Sequence, residues 1–393
     1  MLARNLLTRI WLTFKQQRFE TIAVTIVCVG LTAVALIEAF RLNSLNVPLS
    51  CLQSYQGGYM TAIGDPSQAP ITAAQAHCNE LAKSFYDMHQ SLDMNLVQLL
   101  LLFAPILAGI VVGAPLVAKE IEQGTAPLSW VLSGSRRRWL LGKVLAGVVL
   151  LAPLMLAVGL AANVLEGALN PSLNPYASFS NYLGRGVLDV FWALAAFAGT
   201  FALGTILGRT MPAVVLALVV CFFARAAWDS GMTHFVLRPF AVQQVQQDQQ
   251  QGYVVYGPGG SAYVDMNIYY RSFIDGKEVT DAQVNDWYQQ NMVCVPMPVP
   301  TPGAPMSAGD SGSPGALSSS GAPAASDNGK LVFGGTACET PPIDQSHSLQ
   351  QILYVIPGSW YWQTVALESG LLLLGSLFCA AIAFVWVDRR RPY

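Results

Sequence analysis

Six stretches of the chain are continuously apolar over about the 20 residues a helix needs to cross the hydrocarbon core of a bilayer. They fall at 21–40, 96–118, 140–165, 187–208, 211–228 and 364–387. The fifth is the shortest, but Pro212 in its first turn and Trp228 at its far end bracket it as a complete span. Helices buried in a soluble core would carry polar faces that these runs lack. The first run is about twice as long as the apolar core of a secretory signal, and no small-residue cleavage site follows at Arg41, so it reads as a retained anchor.

The segments between the runs have patterns of their own. In residues 1–20, Leu6, Leu7, Ile10, Trp11 and Phe14 share one helical face while Arg4, Arg9, Lys15 and Arg18 lie largely off it, which predicts an amphipathic helix in the membrane interface. Only Arg209 and Thr210 separate the fourth run from the fifth, so these two helices are antiparallel neighbours. Between the fifth and sixth runs, residues 229–363 hold a glutamine-rich stretch, then alternation typical of strands at 253–256 and 263–273. Asp275 and Gly276 signal a hairpin turn there, and Thr280 caps a short helix. Residues 296–327 are mostly Pro, Ser, Ala and Gly without an aromatic side chain or a positive charge, a composition that does not fold on itself. Tyr354, Trp360, Tyr361 and Trp362 then form an aromatic belt before the last run.

The expected fold class is therefore an all-α polytopic membrane protein of six transmembrane helices, with an N-terminal interfacial helix. A large outer loop between helices 5 and 6 holds a small α+β module and a disordered stretch. The expected domains are 1–20, the five spans of 21–228 with an inner loop at 119–138, the extracytoplasmic region 229–363, and the last span with its basic tail at 364–393.

Composition agrees: 53% of residues are apolar and 11% charged, against roughly 25% charged in soluble domains. A net charge of -2 gives no reason to expect a nucleic-acid partner. Positive charge sets orientation. Thirteen Lys and Arg, including Lys119, Arg136, Arg137, Arg138, Lys143 and Arg209, crowd the short segments on one side, against eight spread over the long loops of the other. Both termini are then cytoplasmic in a bacterial plasma membrane. Cys51, Cys78, Cys294 and Cys338 all fall on the predicted outer side, where one disulfide per loop is the simplest pairing and two free thiols per loop the alternative.

The inner loop carries the densest chemistry. It reads as an acidic helix start at Lys119, Glu120 and Glu122, a turn at Gly124, a second short helix through Trp130 and Leu132, and a basic cluster at Arg136, Arg137 and Arg138 leading into Trp139. The arginines obey the positive-inside rule, whereas the two glutamates do nothing for orientation and suit a surface that meets a partner. Here the chain resembles the membrane subunits of ABC-2 type transporters, actinobacterial-type members in particular. The residues that carry the resemblance are Lys119, Glu120, Glu122, Gly124, Thr125, Leu128, Ser135, Arg136, Arg137 and Lys143, with further similarity at 13–18, 185–225, 237–239 and 359–363 and at Glu368. The resemblance implies a dimer of six-span permeases, identical or not, that exports its cargo with two separate ATPase subunits. ATP and Mg sit on those partners, residues 119–138 form the coupling helix, and residues 2–20 form an elbow helix.

Four ionisable residues, Glu38, Asp189, Arg225 and Glu368, lie within the outer third of the first, fourth, fifth and sixth spans, where charge normally pairs or faces a cavity. One reading makes Arg225 the latch of an outer gate; the other lets all four snorkel to the interface. The chain has no Gly-x-x-x-x-Gly-Lys-Ser/Thr phosphate loop, His-Glu-x-x-His motif or Gly-x-Ser-x-Gly elbow, and its four histidines are scattered. It reads as a non-catalytic subunit with no cofactor or metal of its own. A receptor or scaffold sensing a ligand with its outer region, and a secondary transporter, are the alternatives, although no inverted repeat is evident for the latter.

Overall fold

The structure is a computed structural model that describes residues 15, 17–52, 73–126, 128, 131, 135–171, 173–245, 254–256, 262–274, 276–291, 293–296, 324–325, 330–333, 336–339 and 349–389. The interfacial helix expected over 1–20 lies almost entirely outside these residues, as do Trp130, Leu132 and most of the stretch expected to lack order.

Among the described residues, six helices are long and apolar enough to cross a membrane: Arg18–Ser44, Leu92–Glu122, Arg136–Leu169, Leu188–Leu207, Thr210–Val236 and Gly358–Arg389. The protein is a mostly helical, multi-pass membrane protein. We label the helices α1 (Arg18–Ser44), α2 (Ala73–His89), α3 (Leu92–Gly113), α4 (Pro115–Glu122), α5 (Arg136–Leu169), α6 (Leu188–Leu207), α7 (Thr210–Gly231), α8 (Asp281–Asn291) and α9 (Tyr361–Arg389). Most outrun the hydropathy pattern by a few residues at each end, because polar and charged side chains continue a helix beyond the apolar run. The fifth span differs most: the helix passes Trp228 and ends in a single π-helical turn at Met232–Val236. The second span is two pieces, α3 and α4, which meet at Ala114 because Pro115 occupies the first position of α4.

The chain divides into two compact units, Met1–Ala241 with Gln250–Met266 and Ile356–Tyr393, and Val242–Gln249 with Asn267–Val355. In the first, α6 is the hub and packs on α3, α4, α5, α7 and α9, while α1 lies against α5 and α3. It is the least apolar of the six spans and the most enclosed, as expected of a helix surrounded by protein rather than lipid. Close approach is made by small residues. A Cβ at Gly109 or Gly113 of α3 would collide with backbone or side-chain atoms of α6 at Ala193 and at Phe197 and Thr200. Gly204 of α6 packs against Ala114, and Gly208 closes α6 with a left-handed C-cap (φ 64°).

α2 is joined to the segment after α1 by the disulfide Cys51–Cys78. In the second unit, the strands Met266–Ile274 and Lys277–Val279 pair with Ile274 opposite Lys277, and Gly276 at φ 75° completes the two-residue turn. α8 starts with a capping box, in which Thr280 Oγ1 accepts from Gln283 N and Gln283 Oε1 accepts from Thr280 N. The strands Val293–Pro296 and Thr336–Glu339 run antiparallel with Cys294 directly opposite Cys338 in the register.

Candidate functional site

At one end of the helix bundle, the segment from α4 to the start of α5 is bonded to four spans. Lys119 Nζ reaches Glu20 Oε1 of α1 at 3.1 Å. One residue on, Glu120 Oε1 meets Lys143 Nζ of α5 at 2.5 Å, with both side chains largely buried. Glu122 Oε2 accepts from Thr210 N at 3.0 Å and from Thr210 Oγ1 at 2.9 Å, so it caps the N-terminus of α7 with a charge of the sign that helix end favours. Arg137 pairs with Asp388 of α9 at 2.7 Å, and Arg136 Nη1 donates to the Val387 carbonyl at 3.2 Å. Arginines in the first turn of α5 oppose its dipole, but here they meet the C-terminal carbonyls of α9, where a cation is favoured.

Between these anchors the chain turns at Gly124 (φ 70°), with Thr125 N donating to the Glu120 carbonyl at 3.0 Å. Ser135 then caps α5 by accepting from Arg138 N. Ala126, Leu128 and Val131 are helical, and Leu128 and Val131 are 65% and 79% exposed. Both glutamates singled out from the sequence have partners inside the chain. Among the described residues the turn therefore presents Leu128 and Val131 outward, beside an exposed Glu122 whose carboxylate is already bonded to Thr210.

The intramembrane charges separate into two groups. Glu38 pairs with Arg41 one turn away at 2.9 Å. Asp189 of α6, Arg225 of α7 and Glu368 of α9 are all buried, and they gather around two tryptophans. Arg225 stacks on the Trp192 ring at 4.5 Å, Trp192 and Trp228 meet edge to face at 5.7 Å, and Trp228 Nε1 donates to Glu368 Oε1 at 2.8 Å. Asp189 is fully enclosed and feels the charge of Arg225, but neither of its carboxylate oxygens has a hydrogen-bond partner.

A cavity of about 510 Å³, which no sequence pattern announced, is lined by the first turns of α3, the end of α5 and the loop 179–185. Its walls are mainly apolar, from Leu99, Leu102, Leu165 and Phe179, and its polar end holds Glu166 and Arg185. Arg185 is 1% exposed. It donates to the Ser178 carbonyl and lies over the Tyr361 ring at 5.5 Å, while Nε and Nη1 have no hydrogen-bond partner. Burial holds this guanidinium below its ordinary range, partly offset by Tyr361 and Glu166. Glu166 accepts from Asn170 at 2.9 Å and from Asn181 at 3.2 Å. The only sequence signal for either residue was an ionisable group just beyond the hydrophobic stretch of a span.

Among the described residues no three His, Cys, Asp or Glu side chains are grouped to hold a metal ion. No curated protein and no solved structure matches the chain. Residues 47–232, just under half of the chain, match the profile of a family described as ABC-2 membrane transporter related, and that match supports placing this protein with the ABC-2 type permeases.

Proposed function

We propose that the chain is the permease subunit of an ATP-driven exporter, coupled to a separate ATPase through residues 119–138. The reading rests on one observation. The segment carrying exposed Leu128 and Val131 is tied by Lys119, Glu120, Glu122 and Arg137 to α1, α5, α7 and α9. A push on that face moves packed helices as bodies, because a close-packed interior shifts between arrangements rather than deforming smoothly. The sequence supports the remaining terms: a plasma-membrane location with both termini cytoplasmic, a second permease copy, and ATP with Mg on the partner.

In this account Arg225, between Asp189 and Glu368, holds the outer ends of α6, α7 and α9 together as a gate. Arg225→Ala is expected to leave assembly intact and abolish transport; unchanged transport removes the gate.

The coupling reading is tested by purifying the protein from its own membranes. It is expected to bring with it an ATPase that has a phosphate loop. The paired change Glu120→Ala and Glu122→Ala is expected to uncouple hydrolysis from transport. Transport by the purified chain with no nucleotide-hydrolysing companion would overturn it.

A further inference from the structure

The cavity between α3 and α5 belongs neither to the coupling segment nor to the Arg225 cluster. Its mouth is open, since Leu99 on its rim is 53% exposed, and its volume lies in the range of small-molecule sites. An almost fully buried guanidinium lines it with two donor atoms, Nε and Nη1, that no protein acceptor meets. Buried donors of this kind are rare unless something else accepts from them. Glu166 is in a different position, because Asn170 and Asn181 already occupy its two oxygens. Asn95 and Gln98 add neutral amides to the lining. The polar end therefore has donors to spare and its one carboxylate is taken, while the rest of the wall is hydrocarbon.

We propose that this cavity binds an anionic amphiphile, with its acyl chain along Leu99, Leu102 and Leu165 and its carboxylate or phosphate on Arg185. A guanidinium is a permanent cation whose free N–H groups donate to such a group, a match that an amine or a neutral head lacks. Binding there bridges the end of α5 to the start of α6, because Arg185 precedes α6 and Gly186 N donates to the Gly159 carbonyl of α5 at 2.8 Å.

The test uses the full-length protein in phosphatidylcholine nanodiscs, titrated with 11-(dansylamino)undecanoic acid and with a dansylated alkylamine of the same length. Saturable binding of the acid is expected, weakened about tenfold or more by Arg185→Gln and abolished by Leu99→Trp, which plugs the exposed mouth. The amine is expected to bind far more weakly. Native mass spectrometry of protein released from its own membrane distinguishes the sources: a retained anionic phospholipid assigns the site to bilayer lipid, and a retained fatty acid assigns it to a free carboxylate. Equal affinity of the acid for wild type and Arg185→Gln, equal affinity of acid and amine, or no saturable binding to wild type overturns the proposal. If Arg185→Gln does not fold, unchanged acid binding by Leu99→Trp overturns it instead. Neither readout involves an ATPase or transport, so this site stands or falls apart from the coupling reading.

Discussion

The two ends of the helix bundle treat charge differently. Around the 119–138 segment, Lys119, Glu120, Glu122 and Arg137 each meet an opposite charge or a helix terminus, although Glu120 Oε2 is buried without a hydrogen-bond partner. At the other end, Asp189 and two donor atoms of Arg185 are buried without hydrogen-bond partners. An unsatisfied buried polar group costs about 1–3 kcal/mol, more when it is charged, so the second arrangement persists only where something beyond stability maintains it. The difference fits the proposed coupling, in which the first end would transmit force with little give and the second would change its contacts.

Breaking the buried pair of the tied end should have the largest effect. Lys143→Met leaves Glu120 enclosed without its cation and should cost about 3–5 kcal/mol, read as a large fall in the thermal midpoint of the purified protein. The double change Lys143→Met with Glu120→Gln should recover most of it. A single variant as stable as the wild type would mean that the pair is not buried as described.

A close-approach site sharpens the contrast next. Gly113→Val places a branched side chain where Thr200 and the Phe197 carbonyl already stand. Overpacking of this kind costs about 1–3 kcal/mol, and proteolysis in membranes should show α3 parting from α6. Removing the α7 cap with Glu122→Ala is expected to appear as faster hydrogen exchange confined to the first turn of α7.

A buried carboxylate outside the spans gives a pH test. Asp265 accepts from Gly358 N at 2.8 Å, and burial raises its pKa above the ordinary carboxylate value, with that hydrogen bond opposing the shift. A raised folded-state pKa favours the protonated form, so Asp265 stabilises the fold fully below the ordinary value. That contribution is lost as pH rises through the raised one. Asp265→Asn should flatten the stability curve across that window and leave it unchanged below. The smallest effect belongs to the solvent-facing pair: Arg137→Ala is expected to leave the thermal midpoint nearly unchanged.

Hydrophobic run length was enough to reveal all six spans, because lipid makes continuous apolarity the strongest signal a chain can carry. The disulfide Cys51–Cys78 and the hairpin at Gly276 were legible for similarly local reasons. The partners of the residues proposed for coupling were not. Lys143 with Glu120, Glu122 with Thr210 and Arg137 with Asp388 join residues that are far apart in the chain, and charge type alone does not choose among many carboxylates. Of the four intramembrane charges, the sequence grouped Glu38 with the other three because span direction placed it at the same depth. Its helix instead presents it to Arg41. The cavity was invisible because its walls are ordinary span residues whose meeting depends on how α3, α5 and the loop before α6 pack.

The coupling account is tested most directly by placing a photoreactive amino acid at Leu128 and irradiating cells that contain the whole transport complex. The account predicts one dominant cross-linked product, identified by mass spectrometry as an ATPase with a phosphate loop. A probe at Leu128 that labels only lipid, or only proteins with no nucleotide-binding motif, would contradict it.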